Sequence, residues 1–341
     1  MSLDAHVLIR SRAVDARLTV ERGRTLVLLG TNGAGKSTVL EAIAGIVPVD
    51  SGEIAIHGRA LTGGGRRVPL ASRRIALLSQ DDALFPTMSV LDNVAFGPRS
   101  RGSSREEARH TARAWLERVG ATDLAARRPT ELSGGQARRV AIARALAPAP
   151  EAVLLDEPLA RLDVEAATAI RALLQHVLRD VTAIVATHDA LDAHALADDV
   201  AVIEAGVVVE AGTASEVLTR PRTAFAARMA ARVLIRGTMQ GGALVLVNGT
   251  RVPVAGGPRA GAAAGIAVRP TLIALALGDE PRVPGRAWVT DTVVALEPRG
   301  DEVRVHGSAA AADVDPAEAS RIIVGERVLF GVPTGLPAYA I

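Results

Sequence analysis

Eight consecutive residues, Gly30-Thr31-Asn32-Gly33-Ala34-Gly35-Lys36-Ser37, keep the spacing G-x-x-x-x-G-K-[ST]. Glycines at these places let the backbone wrap close to phosphate oxygens. Successive N–H groups then form a positive nest, and a helix starting at the same point adds its positive pole. In such a loop Lys36 would reach the β- and γ-phosphates of a nucleoside triphosphate, and the Ser37 hydroxyl would ligate Mg²⁺. Lys36 is also the only lysine among 39 basic residues, all the others being arginine. A compact ammonium and a planar guanidinium are not interchangeable, so position 36 needs the point charge.

Two further segments carry matching chemistry. Residues 152–157, Ala-Val-Leu-Leu-Asp-Glu, form an apolar run ending in two carboxylates. Asp156 at a strand tip suits the shell of the Mg²⁺, and Glu157, pointing differently, suits orienting or deprotonating an attacking water. At 132–136, Leu-Ser-Gly-Gly-Gln precedes a helical run and ends 20 residues before Asp156. Its two glycines expose N–H groups at a helix start and predict a second anion site. Alone, that pentapeptide has a capped turn as its other, less favoured reading.

These groups need a scaffold that gathers strand ends. Periodicity predicts strands at 7–9, 18–20, 25–29, 52–56, 75–78, 152–155 and 182–186, with helices over 37–46, 104–119, 137–146 and 164–179. Ser104 ahead of Glu106 and Glu107 marks a helix start, and Gly120 its stop. Residues 200–203 and 207–209 flank Glu204-Ala205-Gly206 as a hairpin. Alternating strands and helices predict an α/β unit with a largely parallel sheet covered on both faces. After Ala231 the texture changes to short apolar runs at 244–247, 251–254, 287–289, 303–305 and 327–330, punctuated by Gly241-Gly242, Asn248-Gly249, Gly256-Gly257 and Arg299-Gly300-Asp301. That pattern predicts a small all-β sandwich or barrel. Two domains are expected, 1–231 and 232–341, since 341 residues exceed what one core usually organises. The alanine-rich stretches 261–265 and 308–312 read as turns.

Composition excludes several classes. With 49% hydrophobic and 22% charged residues the chain is globular and not disordered. The absence of cysteine excludes a disulfide framework, thiolate zinc sites and cysteine nucleophiles. A net charge of +2 with no basic stripe argues against a nucleic-acid partner. No run approaches about 18 apolar residues, and Met1-Ser2-Leu3-Asp4 lacks the features of a signal peptide. The expectation is a cytoplasmic chain that reaches a membrane through other proteins.

Taken in order, 30–37, Gln80, 132–136, 153–157, Leu162-Asp163 and His188 resemble the nucleotide-binding subunits of ATP-binding-cassette transporters, over about residues 1–231. The resemblance implies a P-loop NTPase cassette, a mixed sheet with a helical subdomain. It implies ATP and Mg²⁺ as cofactors, with Gly30, Asn32, Gly33, Ala34, Gly35, Lys36, Ser37 and Thr38 around the nucleotide. Two subunits would pair head to tail as a homodimer. Each ATP would then lie between one subunit's loop and the other's Ser133, Gly134, Gly135 and Gln136. Gln80 would touch the metal and the lytic water and link ATP to the membrane partner, His188 would hydrogen-bond the γ-phosphate, and Asp163 would lie at the seam. The implied catalytic group is Glu157, His188 and Gln80; the implied metal group is Ser37, Gln80 and Asp156.

Two places depart from the family pattern. The family sets an aromatic ring ahead of the phosphate loop to stack on adenine, whereas the first aromatic here is Phe85. Arg12 or Val14 falls near that place, and a guanidinium plane can stack instead. The seam motif Ala160-Arg161-Leu162-Asp163 carries Arg161 where the family favours a small residue.

Residues 81–90, Asp-Asp-Ala-Leu-Phe-Pro-Thr-Met-Ser-Val, are similar to the importer segment that receives a coupling helix of the membrane subunit. Leu84, Phe85 and Met88 are the candidate docking residues, with ordinary core packing the other reading of Phe85. The C-terminal region, with Ala267-Val268-Arg269-Pro270 before Leu272 and Ile273, resembles the oligonucleotide/oligosaccharide-fold-like barrel of importer ATPases for oxyanions, sugars and polyamines. Together these features resemble the ATPases of bacterial molybdate importers. That resemblance implies transmembrane permease subunits, a binding protein acting indirectly, and a peripheral place on the cytoplasmic face of the cell membrane. The Ser-Ala-Arg-Asn-type segment that binds oxyanion in such tails is absent, and Arg282-Val283-Pro284-Gly285-Arg286 stands in the comparable region. Importer ATPases for sulfate, phosphate, iron, polyamines and sugars are similar. A soluble cassette ATPase acting on DNA or ribosomes is the alternative of another class, although the coiled-coil insertions or second cassette usual in such proteins are absent.

Overall fold

The computed structural model describes residues 2–278, 280 and 282–341. Two antiparallel strands open the chain, β1 (Ser2–Ile9) and β2 (Val14–Glu21). In β2, Val14, Ala16, Leu18 and Val20 are buried and the residues between them exposed, the alternation of a sheet with one packed face. By contrast β3 (Thr25–Leu29) is buried throughout, as a strand covered on both faces must be. It leads through the glycine-rich loop into α1 (Lys36–Ala44), which Gly45 ends in a left-handed conformation. The short strands β4 (Ile54–Ile56), β5 (Arg59–Gly63) and β6 (Arg66–Arg67) precede β7 (Ile75–Leu78). Then α2 (Val90–Ser100), α3 (Arg105–Arg118) and α4 (Gly134–Leu146) pack on one another as a helical subdomain. Ser104 and Glu107 form a reciprocal capping box at the start of α3.

The remaining elements of this unit are β8 (Ala152–Asp156), α5 (Val164–Val177), β9 (Ala183–Thr187), α6 (Ala190–Leu196), β10 (Asp199–Glu204) and β11 (Val207–Thr213). Its strands form one mixed sheet in the order β6-β5-β4-β1-β2-β11-β10-β3-β9-β8-β7. Parallel pairing joins β10, β3, β9, β8 and β7 in one block, and β11 with β2 outside it. The expectation of a largely parallel sheet therefore fails beyond β10, where short turns join β10 to β11, β1 to β2, β4 to β5 and β5 to β6 as antiparallel neighbours. Adjacent parallel strands β3, β9 and β8 deliver their carboxyl ends, and the loops that follow, to one edge of the sheet. Ligand sites of α/β sheets lie at such edges.

The chain divides into two compact units between Ala214 and Ser215. The sequence texture changes later, at 231, because the strands resume only there. The short helices α7 (Ala214–Thr219) and α8 (Ala224–Met229) come first, and α8 packs on β12 (Val233–Gln240). Arg236 Nη2 also donates to the Arg222 carbonyl at 2.9 Å.

The second unit continues with β13 (Ala243–Val245), β14 (Arg251–Pro253), β15 (Ala263–Val268), β16 (Ala274–Ala276), β17 (Arg286–Arg299), β18 (Glu302–Gly307), β19 (Ala311–Val314), β20 (Arg327–Pro333) and β21 (Tyr339–Ala340). They make two five-stranded antiparallel sheets around a core that includes Ile235, Leu244, Ile266, Val289 and Phe330. Of the alanine-rich stretches expected to be turns, 263–265 lie in β15 and 311–312 in β19, whereas 261–262 and 308–309 are turn or bend. A Cβ built on Gly265 would lie 2.8 Å from Leu234 Cδ1, so close packing, not intrinsic propensity, selects small residues there. Among the described residues no helix is long and apolar enough to cross a membrane.

Candidate active site

The loop between β3 and α1 is shaped by its glycines. Gly33 and Gly35 have φ of +80° and +104°, which a side chain would strain. A Cβ on Gly30 would sit 2.6 Å from the Ile203 carbonyl oxygen, so the loop can approach β10 only without one. Thr31, Asn32, Gly33 and Ser37 are exposed, Gly35 and Thr38 half-buried, and Ala34 and Lys36 buried. Lys36 is 5% exposed, and its Nζ donates to the carbonyls of Gly30 at 2.8 Å and Thr31 at 3.1 Å. Its ammonium is therefore held inside the loop, at the first turn of α1.

Glu157 is the meeting point of the site. Lys36 Nζ lies 3.6 Å from its Oε1, His188 Nδ1 lies 3.2 Å from the same oxygen, and Gln80 Nε2 donates to Oε2 at 3.1 Å. Three residues that lie 31 to 121 positions from Glu157, namely Lys36, Gln80 and His188, thus converge on one carboxylate. Glu157 itself has φ +46°, a left-handed conformation disfavoured for a residue with a side chain. Its N–H donates to the Ala186 carbonyl at 2.9 Å, which ties the end of β8 to β9.

Asp156 is 8% exposed, and its Oδ1 is buried without a hydrogen-bond partner. Burial pushes its carboxyl pKa up, opposed by a hydrogen bond with Ser37. Burial also pushes the Lys36 pKa down, opposed by the nearby Glu157 charge. A carboxylate short of partners beside a serine hydroxyl is a hard-oxygen donor set, which fits Mg²⁺.

The glycines of 133–136 are placed differently. Ser133 Oγ accepts from the Gln136 N–H at 3.3 Å and Gln136 Oε1 accepts from the Ser133 N–H at 3.0 Å, a capping box that opens α4. Ser133 and Gly134 are exposed, while Gly135 and Gln136 are half-buried. Among the described residues no hydrogen bond or ion pair joins these four to the phosphate loop. Asp163 caps α5, its Oδ1 accepting from the Ala166 N–H at 2.8 Å, beside Val164, which is 84% exposed. Arg12 lies along α1, donating to Thr38 Oγ1 at 3.1 Å and pairing with Glu41 at 3.0 Å. Val14 is buried, its Cγ2 3.2 Å from the position a Gly35 Cβ would take.

Sequence reasoning missed the supports behind the site. Arg138 on α4 is 3% exposed and donates to the carbonyls of Ser79 at 3.0 Å and Gln80 at 2.8 Å. Its Nε lies 3.2 Å from Asp82 Oδ1. Behind His188, Thr187 donates to Asp192 at 2.8 Å, and Arg171 pairs with Asp192 at 2.9 Å. No motif marks either arginine, because both sit in runs that read as ordinary amphipathic helix.

Beyond Gln80, buried Asn93 fixes the segment 85–89. Its Oδ1 accepts from the Phe85 N–H at 2.8 Å, and its Nδ2 donates to the Phe85 carbonyl at 3.1 Å and the Ser89 carbonyl at 3.0 Å. Phe85 is half-buried, 4.8 Å from the Phe96 ring, with the Arg144 guanidinium 5.2 Å from its own centroid. Next to it opens a cleft lined by Met88, Asp92, Phe96, Arg99, Arg105 and Arg109.

Comparison with known proteins gives the family. Residues 14–160 match the family model described as ABC transporter. The chain is 42% identical to the molybdenum import ATP-binding protein ModC of Mycobacterium tuberculosis (strain CDC 1551 / Oshkosh), across 97% of this chain and 95% of that protein. It is 36% identical to the Fe(3+) ions import ATP-binding protein FbpC of Streptomyces avermitilis, across 95% of this chain and 94% of that one. It is also 36% identical to the sn-glycerol-3-phosphate import ATP-binding protein UgpC of Chromohalobacter salexigens, across 83% and 76%.

Proposed function

The chain belongs to the ABC transporter family of ATP-hydrolysing subunits, and from that premise we propose that it powers an importer, most specifically one for molybdate. The convergence of Lys36, Gln80 and His188 on Glu157 is the observation that carries the hydrolytic reading. Lys36 and the loop N–H groups hold the β- and γ-phosphates of ATP, and Thr38 borders the same nucleotide. Ser37, Asp156 and Gln80 hold Mg²⁺, which supplies charge neutralisation on the transferring phosphoryl group when bound. Glu157 accepts a proton from the water that attacks the γ-phosphorus, Gln80 orients that carboxylate, and His188 hydrogen-bonds the γ-phosphate. ADP leaves as the water oxygen–phosphorus bond replaces the bridging one.

Exposed Ser133 and Gly134 and half-buried Gly135 and Gln136, with Asp163 at the start of α5, form the surface that a second subunit's ATP meets. A head-to-tail homodimer closed by ATP follows, and its closing moves the permease subunits. The cleft beside Phe85, with Leu84 and Met88, receives a coupling helix of the permease, which places the protein peripherally on the cytoplasmic face of the membrane. Leu84→Asp combined with Met88→Asp is expected to abolish co-purification with the permease while ATP binding persists. Co-purification at the unsubstituted level would remove this surface from the interface.

The 42% relative over nearly the whole chain supports molybdate as cargo, delivered by a binding protein acting on the permease. The iron and glycerol-phosphate relatives define the alternatives. Deleting the gene is expected to abolish high-affinity molybdate uptake and leave ferric-iron and sn-glycerol-3-phosphate uptake intact. Loss of either of the latter with molybdate uptake retained overturns the assignment.

A further inference from the structure

We infer that Arg161 is a positioning residue for Gln80, acting through an ion pair with Asp81 that ties the loop after Glu157 to the loop after Gln80. Arg161 Nη1 lies 2.7 Å from Asp81 Oδ1. The inference rests on the hydrolytic roles proposed above for Gln80 and Glu157.

Residues 79–82 are held from three sides. Arg138 on α4 grips the carbonyls of Ser79 and Gln80 from behind and faces Asp82. Gln80 reaches forward to Glu157. The third hold is Asp81, which turns outward to Arg161. The first two holds are buried or half-buried, whereas the Arg161 and Asp81 side chains are 70% and 79% exposed.

The backbone points the same way. Arg161 has φ +64° and Glu157 φ +46°, so two left-handed residues with side chains bracket 158–160. Neither is glycine, and conformations of this kind persist where the surroundings over-determine them. Glu157 is fixed by its N–H to the Ala186 carbonyl and by the site, and Arg161 carries the side chain that meets Asp81. The same five-residue loop leads to Asp163 at the start of α5. Displacement of the segment around Asp163 would therefore be felt at Gln80 through the pair. Being exposed, the pair is modest in strength and screened by salt, which suits a contact that adjusts during a cycle.

The test measures ATP turnover of the full chain at low and high salt. Arg161→Ser and Asp81→Asn are each expected to lower kcat about 2- to 5-fold at low salt, the range of an exposed pair, with KM for ATP unchanged. The double variant is expected to be no slower than either single, and the exchange of Asp81→Arg with Arg161→Asp to restore most of the loss. Raising the salt should slow the unsubstituted protein toward the singles and leave the singles where they are. Losses that multiply in the double variant, a shift confined to KM, or failure of the exchange would overturn the pairing role. Gln80→Ala separates the two levels. If it leaves kcat unchanged, the hydrolytic reading of Gln80 falls and takes the proposal with it. If it slows turnover while Arg161→Ser does not, only the pair is overturned.

Discussion

Glu157→Gln is expected to slow ATP turnover by about 10²-fold or more, on the order of 3 kcal/mol of barrier. The amide matches the carboxylate in shape, so contacts to Gln80 and His188 can persist with little movement of the loops. What it cannot do is accept a proton from the attacking water. It also removes the negative charge 3.6 Å from Lys36, which leaves more of the ammonium's field for the phosphates. Binding should therefore survive while the chemical step fails, and the protein should accumulate as an ATP-bound dimer. Single-turnover hydrolysis with size-exclusion chromatography in Mg²⁺-ATP checks both halves. Turnover within a few-fold of normal would take the proton-accepting role away from Glu157.

Lys36→Ala is expected to weaken ATP binding by about 10²-fold or more, roughly 3 kcal/mol, since the charge-assisted hydrogen bonds of the ammonium to the phosphates are lost. The side chain is 5% exposed and makes two hydrogen bonds to the loop it stabilises. Its loss leaves Asp156 and Glu157 as adjacent carboxylates with no cation in the loop, repelling the phosphates they should help to process. Lys36→Arg is expected to fail nearly as badly, because a planar fork cannot occupy the space of a compact ammonium between the Gly30 and Thr31 carbonyls. Titration with a fluorescent ATP analogue measures both variants. Near-normal affinity in Lys36→Arg would show that position 36 needs only a positive charge.

The glycine-rich loop after β3 was legible because its parts are local. An apolar strand and a glycine-rich loop occupy neighbouring stretches of chain, and the strand runs 25–29 and 75–78 matched their observed limits. What holds those parts was not legible. An arginine in an amphipathic run reads as solvent-facing, yet Arg138 is buried because the Ser79 and Gln80 carbonyls, nearly 60 positions earlier, need donors. Helix α2 went unread because Gly97 and Pro98 lie inside it. The Ser89 cap and the packing of α2 on α3 and α4 outweigh those breakers. Strand β15 was obscured by alanine and glycine, whose value there is their small size against Leu234. In each case the deciding contact came from a distant part of the chain.

The burial of Lys36 within the phosphate loop has a consequence for chemical labelling. The polypeptide carries a single side-chain amine, so acylating reagents have one internal address. Desolvation favours the uncharged, nucleophilic form of that amine, and the loop carbonyls shield it. Whether it acquires an acyl mass therefore reports how far this one loop is open or filled, read from one shift in the mass spectrum of the intact protein.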